Sequence, residues 1–225
     1  MTVAALLLFP VGLVAGVFAE ALAIQTPLRE VRERSSRIPI VSIATGVLFA
    51  ATPFVIGVTW VLPAYLLFVA LTVTLTLTDL DDKLIPNRIL FPGTAVGLVL
   101  LYGGMVFDAW FGDATLTGFD LLRPVAGGAG YYVLLLVLAL VGPAGALGGG
   151  DVKLAFLLGA FTAAVSLDVL LVAIFAAFIG GGLVSLLLIL FRIRDRKDAI
   201  AFGPYLIGGA YFALAWGGVI ADWYL

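Results

Sequence analysis

The chain contains neither cysteine nor histidine, and these two absences remove much of the common chemistry of enzyme sites. Without cysteine there are no disulfides and no thiolate metal sites. Without histidine there are no imidazole bases, no Ser-His triads and little zinc chemistry. Any catalysis must therefore come from carboxylates, lysine, arginine, tyrosine, serine or threonine.

Charged residues are also scarce, at 12% of the 225 residues, whereas soluble domains carry about 25%. Hydrophobic residues make up 63% of the chain and the mean hydropathy is +1.21. This composition is typical of an integral membrane protein. The formal net charge of −2 and the absence of a basic stripe indicate no nucleic-acid partner.

A membrane-spanning helix needs roughly 20 mainly apolar residues. The first apolar segment has no basic residues before it, and Glu20 rather than a small-residue cleavage site lies near its end, so it is interpreted as a retained span. The sequence predicts an all-α polytopic membrane protein, with residues 1–225 forming a single integral-membrane domain. The eight predicted spans are Val3–Ile24, Pro39–Val58, Val61–Thr78, Ile89–Phe107, Pro124–Val141, Val152–Leu167, Val169–Phe191 and Ala199–Ala221.

The basic residues predict the orientation of these spans. Eleven of the twelve lie in regions that eight spans place on one side, namely between the first two spans and after the third, fifth and seventh. Only Arg123 falls on the other side, among several aspartates. By the positive-inside rule the basic side is cytoplasmic, which puts both termini outside.

Two acidic stretches lie at the predicted cytoplasmic border, DLDDKLIPN from Asp79 and GALGGGDVKL from Gly145. Ionisable groups at membrane depth are costly and are functional candidates by default. The glycines permit unusual backbone conformations and close approach, and Asp151 is placed near a helix start, where the macrodipole favours its anion. Taken alone, each stretch is also compatible with the solvated end of a span.

Together, the two stretches indicate a specific chemistry. Two membrane-border carboxylates on one side of the membrane, in a chain without histidine or cysteine, are what an aspartyl hydrolase requires. One carboxylate takes a proton from water while the other, still protonated, polarises the scissile carbonyl. Proximity makes such a pair share one proton.

Both stretches resemble motifs of the type IV prepilin peptidases, which are intramembrane aspartyl proteases of the GxGD type. The first family motif is an aspartate followed, six and seven residues on, by an aliphatic residue and proline, then Asp or Asn. It is matched by Asp79, Ile85, Pro86 and Asn87. The second motif, G-x-G-D-x-K-L, is matched by Gly148, Gly150, Asp151, Lys153 and Leu154.

The resemblance implies that Asp79 and Asp151 are the catalytic pair and that no metal or organic cofactor is needed. Asp81 occupies a second position that is often acidic in the family, and Asp82 would be a solvated neighbour. Lys153 either keeps the Asp151 carboxylate ionised or serves as a snorkelling anchor, and the sequence favours neither. The segments AFGPYLIGGA, RIPIVSIATGVLFA and GVFAEAL also look like family segments, in the family's order.

The implied function is removal of a short basic leader from type IV prepilin-like precursors, at the cytoplasmic border of the cell membrane. One departure from the family matters. Bifunctional members insert a segment with two CxxC pairs between the first two spans and also N-methylate the product. Here that loop is about a dozen arginine-rich residues without cysteine, so neither the zinc site nor methyltransferase activity is expected.

Two other classes of function remain as alternatives. A proton-coupled transporter also carries acids in its spans, but it would place them near the bilayer midplane within broken helices. A non-catalytic assembly scaffold would keep the fold without needing either aspartate. Among proteases, presenilin-like and signal-peptide-peptidase-like enzymes share GxGD but need a Tyr-Asp pair and a Pro-Ala-Leu motif, and this sequence has neither.

The predicted orientation can be tested by labelling single cysteines in this naturally cysteine-free chain. Ser35→Cys and Asp113→Cys should react with a membrane-impermeant thiol reagent from opposite sides of the membrane, because an odd number of predicted spans separates them. Reaction of both from the same side would contradict the eight-span arrangement.

Overall fold

The computed structural model describes residues 1–25, 37–112, 115–142, 147–191 and 201–224, and throughout these ranges the only regular secondary structure is α-helix. Each predicted span corresponds to one helix. The eight helices are α1 Thr2–Gln25, α2 Ile38–Ile56, α3 Leu62–Asp82, α4 Asn87–Phe111, α5 Gly118–Val141, α6 Gly149–Val165, α7 Leu167–Leu190 and α8 Gly203–Tyr224.

Seven of the helices are long and apolar enough to cross a membrane, so the protein is a multi-pass membrane protein. The exception is α6, whose 17 residues span about 25 Å, less than the hydrocarbon core of about 30 Å. It is nevertheless the predicted sixth span, and most of its side chains are buried.

Two predicted boundaries differ from the structure in ways that matter for the candidate site. The third span was expected to end at Thr78, but α3 continues to Asp82 and therefore includes Asp79. The second span was expected to reach Val58, but α2 ends at Ile56 because Gly57 takes an extended conformation with a positive φ of 87°, which only glycine adopts readily. Residues 199 and 200, placed in the last predicted span, lie outside the described ranges.

The chain divides into two compact units, Met1–Thr117 and Gly118–Leu225. In the first unit, glycines let α1 and α2 approach closely. A Cβ atom added to Gly16 would lie 2.5 Å from the Cα of Ser42, and one added to Gly12 would lie 2.8 Å from the Cα of Gly46. Such small-residue contacts are the usual way for helices to associate in lipid.

Helix α3 carries four threonines in its second half, and their hydroxyl groups donate to backbone carbonyls within the same helix. Thr72 bonds Phe68 at 2.8 Å and Thr76 bonds Thr72 at 2.8 Å, with equivalent bonds from the other two. An unsatisfied hydroxyl away from water is costly. The internal bonds allow a helix with this many polar residues to lie buried.

In the second unit, α5 and α6 pack through glycines on both helices. A Cβ on Gly159 would lie 2.6 Å from the carbonyl oxygen of Gly127, and one on Gly128 would lie 2.8 Å from that of Phe156. On α8, a Cβ on Gly209 would lie 2.7 Å from the carbonyl oxygen of Ala173 in α7. Close backbone contact therefore sets the position of α6 within this unit.

Arg123, the one basic residue that the sequence places on the outer side, has a local structural role. It lies 3.0 Å from the Asp120 carboxylate, one turn earlier in α5. Its guanidinium also donates to the carbonyl oxygens of Ala164 and Val165 at 3.3 Å each. These are the last carbonyls of α6, where a cation is favourable. Arg123, the one exception to the one-sided distribution of basic residues, thus caps the C-terminal end of α6.

The close packing of α5 on α6 predicts a difference between two glycines of α5. In Gly127→Ala, the added methyl group would overlap the Ala163 side chain, and such overpacking should lower the free energy of unfolding by about 1–3 kcal/mol. Gly130→Ala is the matched control, because nothing lies within 4 Å of a Cβ there. Thermal unfolding in detergent should show a lower melting temperature for Gly127→Ala only. Equal melting temperatures would contradict this packing.

Candidate active site

Asp79 lies in the last turn of α3 and is only 4% exposed. Its backbone carbonyl accepts the N–H of Lys83 at 2.9 Å, which closes the helix. Lys83 itself takes a left-handed conformation, φ 53° and ψ 38°. Glycine or asparagine is commoner at such a position. The turn directs the chain away from α3 at Lys83, one helical turn after Asp79.

The remaining residues of the first motif form the corner between α3 and α4. Ile85 and Pro86 are both buried, and the Pro86 carbonyl accepts the N–H groups of Ile89 and Leu90 at 3.0 Å. Asn87 is the first residue of α4 and is exposed. The spacing between aspartate and proline therefore corresponds to one helical turn and a buried corner.

Asp81 lies at the exposed end of α3, where its carboxylate is paired with Arg37. The Arg37 Nη2 donates to both carboxylate oxygens of Asp81, at 2.8 and 2.6 Å. The hydrogen bonds to Asp81 raise the pKa of Arg37 above its usual value, so the guanidinium stays positively charged. Asp82, predicted to be solvated, is half-buried.

Arg37 also contacts α1. Its backbone N–H lies 3.4 Å from Glu20 Oε1, and its Nε lies 4.0 Å from the same atom. Glu20 is 1% exposed. By their position in the sequence, Arg29 and Arg32 are also candidate partners of Glu20, and both lie outside the described residues. The role of Arg37 was missed, since it was grouped with the loop arginines that set topology. The signal available was its place two residues before the proline of RIPIVSI.

Asp151 lies in the first turn of α6 and is 7% exposed. Its Oδ2 accepts the backbone N–H of Gly148, the residue before the helix, at 3.1 Å. This is one of the two hydrogen bonds of a capping box. The second is absent because Gly148 has no side chain that could accept the backbone N–H of Asp151. The positive end of the helix dipole and the donated N–H group both favour the ionised carboxylate.

The glycines before Asp151 have different surroundings. A Cβ on Gly148 would lie 3.1 Å from Asp151 Oδ2, whereas nothing lies within 4 Å of a Cβ on Gly149. Gly148 thus leaves room for the carboxylate to fold back over the helix start. Gly150 is in the first turn and half-buried, as is Lys153, and both interpretations of Lys153 stay open.

The structure places the predicted residues in two groups. Asp79, Asp81, Pro86 and Asn87 belong to the first unit, while the five matched residues of the glycine motif belong to the second. Each unit thus presents one nearly buried carboxylate in the terminal turn of a helix. Among the described residues, no cluster of three or more acidic, histidine or cysteine side chains could hold a metal ion.

Residues 66–186, just over half of the chain, match the type IV leader peptidase family. Three proteins called prepilin leader peptidase/N-methyltransferase are similar to the chain. The Aeromonas hydrophila protein is 34% identical over 85% of this chain and 62% of its own length. The Pseudomonas aeruginosa protein is 28% identical over 84% and 61%, and the Bacillus subtilis protein is 27% identical over 83% and 69%. The chain therefore spans less than two thirds of the first two relatives. No solved structure matches it.

The geometry at Asp151 predicts unequal effects of two neighbouring substitutions. Gly148→Ala would push against Asp151 Oδ2 and displace the carboxylate by a few tenths of an ångström, which should lower about tenfold the rate of the leader cleavage that the two motifs predict. Gly149→Ala meets nothing and should cleave at close to the parent rate. The measurement is the initial rate of cleavage at matched protein levels. Equal rates for the two variants would show that Gly148 does not position Asp151.

Proposed function

Because this chain belongs to the type IV leader peptidase family, we propose that it is an aspartic endopeptidase that removes the N-terminal leader of type IV prepilin-like precursors. The observation that carries the proposal is the pair of nearly buried carboxylates, Asp79 and Asp151, each in the terminal turn of a helix and each within a family motif. The names of the longer relatives include leader peptidase activity, and the proposal extends that activity to this chain.

In the proposed reaction, Asp79 and Asp151 share one proton. The ionised carboxylate takes a proton from water, whose oxygen attacks the scissile carbonyl, and the protonated carboxyl group donates to the carbonyl oxygen. The tetrahedral intermediate then collapses, the C–N bond breaks, and the leaving amine takes a proton from the pair. Net hydrolysis consumes one water and returns the shared proton.

The two helix ends suggest which carboxylate is ionised. Asp151 is at the start of α6 and accepts the Gly148 N–H, so its anion is favoured. Asp79 is in the last turn of α3, where the negative end of the helix dipole disfavours an anion. This asymmetry supports Asp151 as the base that activates water and Asp79 as the acid that polarises the carbonyl.

The proposal includes a place for the reaction. Residues 1–225 act as a single peptidase domain in the lipid bilayer of the cell membrane, with the two motifs at its cytoplasmic border. The bias of the basic residues supports this orientation. The precursor is the proposed partner, and no cofactor is invoked. The helix-end positions of Asp79 and Asp151 also disfavour a transporter, for which acids near mid-membrane are expected.

Replacing either aspartate tests the pair. Asp79→Asn and Asp151→Asn should each abolish cleavage, because each removes an essential acid or base while leaving the side-chain size nearly unchanged. Cleavage of a co-expressed precursor, scored by its shift in size, is the measurement. Both variants should accumulate in the membrane like the parent. Full activity in either one, at matched levels, would remove that residue from the proposed pair.

The shared proton predicts a bell-shaped dependence of the cleavage rate on pH. Below both apparent pKa values of the pair no base is available, and above both no acid is available, so activity peaks when one proton is present. Initial rates with purified protein across the pH range in which it stays folded test this. A rate that rises to a plateau with increasing pH would contradict a requirement for the shared proton.

The loop between α1 and α2 predicts that cleavage occurs without methylation. This chain has no cysteine, so the cysteine-containing segment of the bifunctional members is absent from that loop. Purified protein incubated with precursor and S-adenosylmethionine should yield a shortened product with an unmodified new N-terminus, as read by mass spectrometry. An added methyl group would show that methylation does not need the segment, and an uncut precursor would contradict the proposed function itself.

A further inference from the structure

We infer that Arg37 is a positioning residue, which fixes the orientation of Asp79 by anchoring the last turn of α3 through Asp81. The inference deepens the proposed function and rests on it only for the role of Asp79. All the contacts that carry it lie within the first unit.

Arg37 connects three helices at one end of that unit. It immediately precedes α2, its backbone N–H meets Glu20 of α1 at 3.4 Å, and its Nη2 meets both oxygens of Asp81 at the end of α3. The carboxyl groups of Glu20 and Asp81 both lie near the Arg37 guanidinium, at 4.0 and 2.6 Å. The link to Asp81 is the only one of these that reaches the turn containing Asp79.

An apolar cluster lies beside this ion pair and marks the same face of α3. Leu77 packs with Ala23 of α1 and Val41 of α2, with Val73 against the cluster. Residues four apart lie on one face of a helix, so Val73, Leu77 and Asp81 form one line along α3. That line is the face that α3 presents to α1 and α2.

Asp79 lies two residues from both Leu77 and Asp81, which is about 200° around the helix. Its side chain therefore points away from the anchored face. Rotation of the last turn would move the Asp79 carboxylate directly, and the Arg37–Asp81 pair opposes that rotation at the point where the apolar cluster ends. A misplacement of about 1 Å at a reacting group can cost about a hundredfold in rate.

The Arg37–Asp81 ion pair is better suited to orienting the last turn of α3 than to stabilising the folded protein. The side chain of Arg37 is 37% exposed and that of Asp81 is 21% exposed, and ion pairs open to solvent stabilise proteins little. Its loss should therefore change the rate of catalysis while leaving most of the folded protein intact. A purely structural contact would show the opposite pattern.

The first test is kinetic, with Arg37→Gln, Asp81→Asn and the double variant. Each single variant should lower kcat about tenfold, with little change in KM or melting temperature. The double variant should be no worse than the poorer single one, since the two changes remove the same interaction. Arg37→Lys, which keeps a donor and the charge, should recover most of kcat. Asp82→Asn is the neighbouring control and should stay close to the parent.

The second test needs no cleavage, because the chain is free of cysteine. Asp79→Cys places one thiol at a position that is 4% exposed, and adding Asp81→Asn should speed its modification by a small thiol reagent several-fold. Adding Asp82→Asn should leave that rate unchanged. An unchanged rate with Asp81→Asn would overturn the inference, as would parent-like kcat in Asp81→Asn or an effect on KM alone. Faster modification, combined with no precursor cleavage by the parent protein that keeps Asp79, would instead contradict the proposed function and retain the positioning role.

Discussion

A carboxylate that is nearly closed off from solvent in a membrane protein is costly unless the surrounding groups stabilise one of its protonation states. Asp79 and Asp151 are both in this situation. Asp151 is supported by the start of α6 and by the Gly148 N–H group, while Asp79 lies at a helix end that favours the neutral acid. If the two residues share one proton, as proposed, Asp151 can be ionised at the start of α6 while Asp79 is protonated at the end of α3. Each carboxyl group then has the protonation state that its helix end favours.

The remaining structure of each unit keeps its carboxyl group in place. In the second unit, glycine contacts with α5 fix α6, and Arg123 caps the opposite end of the same helix. In the first unit, the buried Ile85–Pro86 corner, the left-handed turn at Lys83 and the ion pair of Arg37 with Asp81 define where α3 ends. Several of the glycines and prolines that interrupt the apolar runs, among them Gly127, Gly159 and Pro86, thus have specific packing or turning roles.

Helix number and approximate position could be predicted from the sequence, because a span of about 20 apolar residues is a strong one-dimensional signal. The two motifs could also be found, since their spacings reflect local structure: one turn plus a corner for Asp79 to Pro86, and a helix start for Gly148 to Asp151. The end of α3 was misplaced because Asp79 to Asp82 read as polar loop, although the helix continues through them. The Arg37–Asp81 pair joins residues 44 positions apart, and hydropathy carries no information about such contacts.

The proposed mechanism requires the side chains of Asp79 and Asp151 to lie next to each other, and the absence of native cysteine allows a direct measurement of this. In a variant with both Asp79→Cys and Asp151→Cys, a bifunctional thiol reagent that bridges only adjacent side chains should join the two positions within one chain in native membranes. Leu80→Cys with Asp151→Cys is the control, since Leu80 is exposed beside Asp79 and points in another direction. Rapid bridging is expected for the first pair and little bridging for the second. Efficient bridging of the control pair alone would show that Asp79 and Asp151 are not neighbours. The same conclusion would follow if neither pair were bridged although each cysteine reacted with a monofunctional thiol reagent.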